Sequence, residues 1–189
     1  MKRLEEAIRQ RGKVIGEDIL LVDSFLNHQV DVRLMEAVGQ DFARHFAGRG
    51  VGRVATIESS GIAPAAFAAL ALDVPLVIMK KQGSRILSGD LLHTAVRSFT
   101  KNTQYELTVK RDFLPAGEKV LFIDDFLACG EAALGAKALI EEAGAVLEGV
   151  GIMIEKSFQP GAGKLREAGI DLYSQARVAS IEGGEITFL

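Results

Sequence analysis

Twice along this chain a short apolar run leads through a small-residue loop into a helical stretch and then a second apolar run. In the first copy, residues 53–57 read as a strand, 58–64 as a loop, 65–72 as a helix and 74–79 as the next strand. In the second, 120–123 is the strand, 124–131 the loop, 132–143 the helix and 146–154 the strand. Each set is a βαβ unit, whose strands run parallel and whose crossover is right-handed. The fold expected is therefore α/β, an open, mainly parallel twisted sheet flanked by helices. Such sheets bind ligands beyond the carboxyl ends of their strands.

The second unit carries the most chemistry. Residues 120–133, VLFIDDFLACGEAA, end four apolar residues in the adjacent carboxylates Asp124 and Asp125, with Gly130 shortly after. The first amides of a following helix lack backbone partners and favour anions, so a phosphate suits that position. Carboxylates beside a phosphate cradle suit a phosphorylated ribose. By themselves, the two acids would equally serve as one helix cap and one solvated side chain. No Gly-Lys-Ser/Thr run and no G-x-G-x-x-G occur, which removes the commonest nucleotide-binding alternatives.

The rest of the chain reads more plainly. Residues 4–11 form a short amphipathic helix, 19–22 an extended piece, and 31–48 a helix carrying Leu34, Met35, Val38, Phe42 and Phe46 at helical spacing. The polar stretch 84–110 has β-type pieces at 94–100 and 105–110 and reads as a hairpin-like flap. The tail 172–189 adds short strands around a Gly183-Gly184 turn. One domain over residues 1–189 is expected, with a hood from about 1–30 plus the C-terminal segment and a flap over about 82–110.

Bulk properties exclude other classes. At 48% hydrophobic and 25% charged residues the chain is neither disordered nor fibrous. A net charge of −3 argues against a dedicated nucleic-acid binder. The longest apolar run, 62–72, is about half of what a bilayer requires. The charged, helical start does not read as a signal peptide, and the single cysteine permits no internal disulfide, so a cytoplasmic protein is expected. His28, His45 and His93 show no metal-ligand spacing.

VLFIDDFLACGEAA resembles the phosphoribosyl-diphosphate (PRPP) signature of the type I phosphoribosyltransferases. VDSFLNHQVD, TIESSGIAPA, SFTKNT, IDDFLACG and GIMIEKSFQPG, in that order, extend the resemblance across nearly the whole chain, to the short bacterial xanthine phosphoribosyltransferases. The resemblance implies catalytic Asp124 and Asp125 on the ribose, and Ala128, Cys129, Gly130, Glu131 and Ala132 around the 5′-phosphate. It implies Ser59, Ser60, Gly61 and Lys81 on the pyrophosphate, with Lys80 and Arg85 nearby. Leu20, Asn27 and Lys156 would then meet xanthine, with Phe158 placed to stack on it. Mg²⁺ would arrive with PRPP, without a protein metal site of its own, and the protein would be a homodimer. Cys129 and Ala132 stand where the family usually has threonine, which moves phosphate binding onto backbone amides. The alternatives are the same chemistry on guanine or hypoxanthine, or a non-catalytic PRPP-sensing regulator.

Overall fold

In a computed structural model, residues 1–16, 19–81, 89–98 and 103–189 are described. The chain opens with α1 (Lys2–Arg11), the short strands β1 (Lys13–Ile15) and β2 (Ile19–Leu21), and a π-helical turn at Asp23–Asn27. Next come α2 (Val32–His45), β3 (Arg53–Ile57), α3 (Ile62–Leu72) and β4 (Leu76–Met79). The hairpin strands β5 (Leu91–Ser98) and β6 (Thr103–Lys110) lead through a 3₁₀ turn at Arg111–Phe113 to β7 (Lys119–Leu127). The second half holds α4 (Glu131–Glu142), β8 (Val146–Lys156), α5 (Gly161–Glu167), β9 (Leu172–Glu182) and β10 (Glu185–Phe188).

The central sheet has the order β10-β9-β8-β7-β3-β4. Every neighbouring pair is parallel except β10 with β9, which closes one edge as an antiparallel hairpin. From β3 the chain crosses outward to β4, whereas from β7 it crosses the other way to β8. The direction of winding therefore reverses between β3 and β7, and that is where an open α/β sheet leaves a crevice.

The sheet is apolar on both faces, as a strand covered by helices on each side must be. Along β7, Leu121 and Ile123 face a core shared with α1, α2 and α3, while Val120 and Phe122 face one shared with α4, α5 and the β5–β6 hairpin. All four are fully buried. At about 25 cal/mol per Å² of apolar surface, burying each such side chain contributes roughly 1.5–3 kcal/mol.

The acids do not end their strand. β7 runs on through Asp124, Asp125 and Phe126 to Leu127, so only 128–130 remain as loop where 124–131 was expected. Strand β8 stays paired alongside, Asp124 with Ile152 and Phe126 with Ile154, which extends the ladder past the apolar run. Helix α5 was not expected at all, because its Gly161, Ala162 and Gly163 give no apolar periodicity. Between the described parts of the 84–110 stretch, β5 begins at Leu91 and pairs with β6 in full antiparallel register. The hairpin docks on α4 at Gly135, where a Cβ would lie 2.5 Å from Val96 Cγ2. It is joined to the sheet by the Lys80–Thr108 bridge.

The N-terminal segment covers the far end of the sheet. Arg9 stacks over Phe188 at 4.7 Å, and the N-terminal ammonium donates to the Gln175 carbonyl. These contacts tie the two ends of the chain together.

Candidate active site

A cleft opens beside the carboxyl end of β7. Its lining combines Asp124, Phe126 and Leu127 from the strand, residues 128–133 from the following loop and helix, and Lys81, Arg97 and Tyr105 from the neighbouring edge and hairpin. Lys81 follows β4, so the cleft spans the point at which the winding reverses.

The loop at its base is shaped for an anion. Gly130 takes the left-handed φ of 86°, which costs a glycine nothing, and becomes the cap of α4. The Leu134 amide makes the first helical bond, to the Gly130 carbonyl, so the amides before it have no acceptor within the helix. They and the positive end of the helix dipole favour a phosphate. Cys129 and Ala132 bring no hydroxyl, and Cys129 is buried with its thiol 4.0 Å from Gln159 Oε1.

Helix α5 braces this loop from behind. The Gly161 amide donates to the Ala128 carbonyl at 2.9 Å, and Lys164 Nζ meets Glu131 Oε1 at 2.5 Å. Gly161 and Gly130 approach so closely that an added Cβ on Gly130 would stand 3.3 Å from Gly161 Cα.

Across the crevice, the loop after β3 comes down onto Asp124. An ideal Cβ on Gly61 would lie 2.7 Å from Asp124 Oδ1 and 2.3 Å from Thr56 Oγ1, so only glycine fits there. Ser59 is exposed, Ser60 half-buried, and the peptide bond between Glu58 and Ser59 is cis. Glu58 holds both lysines of the neighbouring strand end, accepting from Lys80 Nζ at 2.9 Å and from the Lys81 amide at 3.0 Å. Burial works to raise the Glu58 carboxyl, but those bonds outweigh it and keep it below its usual range. Lys80 is thereby engaged away from the cleft, whereas the Lys81 side chain faces it.

The two acids play unequal parts, as strand alternation requires. Asp124 lines the cleft, and its Oδ1 accepts the Asp125 amide at 3.0 Å. Burial, and after it the charge of Asp125, pushes the Asp124 carboxyl well above the ordinary carboxylate range. Burial also raises Asp125, against the pull of its hydrogen bonds and of Lys81. Tyr105 is raised by burial and by the Asp124 charge, so its hydroxyl remains a donor at neutral pH. The Lys81 ammonium sits 5.8 Å from the Tyr105 ring centroid.

Lys156, at the end of β8, places its ammonium 5.9 Å from the centroid of Phe126. Phe126 lines the cleft and is an aromatic that sequence reasoning passed over, while Phe158 is 42% exposed. Leu20 is buried in the core of the N-terminal segment, its Cδ1 3.2 Å from where a Gly12 Cβ would be. Asn27 ends the π-helical turn and is exposed. Neither lines the cleft. Arg85 lies outside the described residues. Arg97 and Tyr105 went unnoticed because nothing local distinguishes them. Alternation along β5 and β6 could not have found them either, because the register pairs Tyr105 with Val96 and Arg97 with Gln104 and so puts the two on opposite faces of the hairpin.

No family model matches the chain. Over all 189 residues it is 52% identical to a xanthine phosphoribosyltransferase of Agathobacter rectalis, covering 98% of that protein. It is 51% identical over 186 residues to one of Clostridium botulinum, covering 98% of each chain. The identity to one of Listeria monocytogenes is 50%, over 100% of this chain and 98% of the relative. The fold is similar to that of adenine phosphoribosyltransferase from Rhodothermus marinus, with a TM-score of 0.76 and 22% identity over 94% of this chain and all of the other. It also matches the Trypanosoma brucei enzyme in complex with AMP, pyrophosphate and ribose-5-phosphate, with a TM-score of 0.77 and 17% identity over 92% and 79% of the two chains. At such identities the structural likeness establishes the fold alone.

Proposed function

The chain belongs to the xanthine phosphoribosyltransferase family, and from that premise we propose that it transfers the 5-phosphoribosyl group of PRPP to xanthine. The products are xanthosine 5′-monophosphate and pyrophosphate. One structural observation carries the reading: beside the point where the sheet's winding reverses, Gly61 packs against Asp124, an acid that lines one cleft together with the helix start at 128–133.

In this reading the amides of 128–132 hold the 5′-phosphate, Asp124 and Asp125 the ribose, and Ser59, Ser60, Gly61 and Lys81 the pyrophosphate. Lys156 faces the base with Leu20 and Asn27 in the hood. A ring nitrogen of xanthine bonds to the anomeric carbon as the bond from that carbon to pyrophosphate breaks, the electron pair leaves with pyrophosphate, and the nitrogen's proton passes to pyrophosphate or water. The ribose gains positive charge on the way, which a carboxylate at Asp124 favours. Positioning supplies most of the remaining rate. Lys156 only donates, which suits the oxo edge of xanthine over an amino group.

Among the described residues no three His, Cys, Asp or Glu side chains gather in one place. Mg²⁺ accompanying PRPP would thus take most of its ligands from phosphate oxygens and water, and would neutralise charge on the departing pyrophosphate. Among the described residues, no helix is long and apolar enough to cross a membrane. The same reading makes the protein a cytoplasmic homodimer, and light scattering tests the second half of that. The function is tested by supplying PRPP and Mg²⁺ with xanthine, guanine, hypoxanthine or adenine and following nucleotide formation. Xanthine should be used best, and no turnover with any base overturns the proposal.

A further inference from the structure

Strand β3 carries one side chain that its surroundings do not explain. Thr56 is fully buried, yet its hydroxyl has no hydrogen-bond partner among the described residues. A buried hydroxyl left unpaired is destabilising, and valine would fill the same space without that cost. Val54, Ala55 and Ile57 around it are apolar, so the strand itself has no need of a hydroxyl. What distinguishes the position is its neighbour. Thr56 Oγ1 and Asp124 Oδ1 crowd the same point beside Gly61, at 2.3 and 2.7 Å from where a Cβ would be.

We propose that Thr56 is a positioning residue for the transfer reaction: its hydroxyl donates to the Asp124 carboxylate once the substrates settle the Gly61 loop. This rests on the function proposed above. Asp124 accepts from the Asp125 amide and shares a side-chain hydrogen bond with Asp125, and the charged or titratable groups near it are Asp125 on its own strand, Lys81 after β4, and Arg97 and Tyr105 on the hairpin. A hydroxyl that can turn toward Asp124 would steady the ionised carboxylate when the ribose needs it, and needs no partner before then.

The test is Thr56→Val, with Thr56→Ala as a second variant without the hydroxyl and Thr56→Ser as the rescue, all assayed with PRPP and xanthine beside the wild type. Thr56→Val should melt no lower than wild type while kcat falls about 10-fold, as loss of a hydrogen bond to a charged group predicts. KM for xanthine should hold, and the acid limb of the kcat/KM profile should move to higher pH. Thr56→Ala should show the same kinetic changes, and Thr56→Ser should restore most of kcat and the acid limb. Wild-type kcat and an unmoved limb in either hydroxyl-free variant overturn the inference. An inactive wild-type protein would instead overturn the function itself, so the two failures are distinguishable.

Discussion

The Gly161 amide donates to the Ala128 carbonyl at 2.9 Å, which ties the start of α5 to the loop that would cradle the 5′-phosphate. The two residues are 33 positions apart, and the contact is possible only because Gly161 has no side chain. A Cβ there would lie 2.4 Å from Ala128 O and 2.9 Å from Gly130 N. Gly161→Ala must therefore displace the loop. KM for PRPP should rise at least about 10-fold while KM for xanthine changes little, and overpacking should cost about 1–3 kcal/mol in stability. Equal changes in both KM values would show that the brace does not act on the phosphate end.

Asp124 and Asp125 link activity to pH and stability. Burial raises both carboxyls, and on Asp124 the charge of Asp125 adds to it. A group raised in the folded state binds its proton more tightly there than in the unfolded chain. Its contribution to stability is full below the ordinary carboxylate range and is lost as pH rises through the raised folded value. The ligand-free protein should therefore lose stability on going upward from about pH 4. Asp124→Asn should flatten that slope and stabilise the protein by about 1 kcal/mol at neutral pH while lowering kcat. Melting temperatures measured from pH 4 to 8 decide the matter, and a slope unchanged by the substitution would count against the assignment.

Asp125→Asn separates the two acids. Turnover should fall with little loss of folding, as judged by urea denaturation. Wild-type turnover in this variant would remove Asp125 from the ribose.

Lys156 places its ammonium 5.9 Å from the ring centroid of Phe126, which lines the cleft. Lys156→Ala should lower kcat/KM for xanthine roughly 10- to 100-fold, the range expected for one hydrogen bond from a charged group. KM for PRPP should stay within about 3-fold, a split that steady-state kinetics with each substrate varied in turn would reveal.

Glu155, beside it, is 1% exposed and accepts from Ser157 Oγ at 2.6 Å and Arg177 Nε at 3.3 Å. Burial works to raise its carboxyl, but these partners outweigh it and hold it below its usual range. Its stabilisation is thus present above the ordinary carboxylate range and is lost as pH falls through the depressed value. Glu155→Ala should cost about 1–3 kcal/mol in urea denaturation at pH 7, since Arg177 is exposed enough to regain water. The gap from wild type should narrow toward pH 3.

The parts of this protein that were legible in the sequence are those written in contiguous residues. Four apolar residues before two acids mark a central strand, because a strand covered on both faces has no polar side to alternate with. Gly130 and the small residues after it mark a helix start whose unpaired amides suit an anion, again for a local reason. The length of β7 was not legible, because whether Asp124 to Leu127 continue the ladder depends on β8 lying alongside. Nor was the fact that Asp124, rather than Asp125, lines the cleft.

What the tertiary structure alone decided is which distant residues meet. Gly61 reaches Asp124, Gly161 reaches Ala128, and Arg97 and Tyr105 turn toward the cleft, across 33 or fewer to more than 60 positions of chain. The sequence could state that a glycine or a threonine is present, since that is a matter of covalent chemistry. It could not state what the missing or added atoms would touch, because that follows from how two βαβ units wind away from each other and leave one crevice between them.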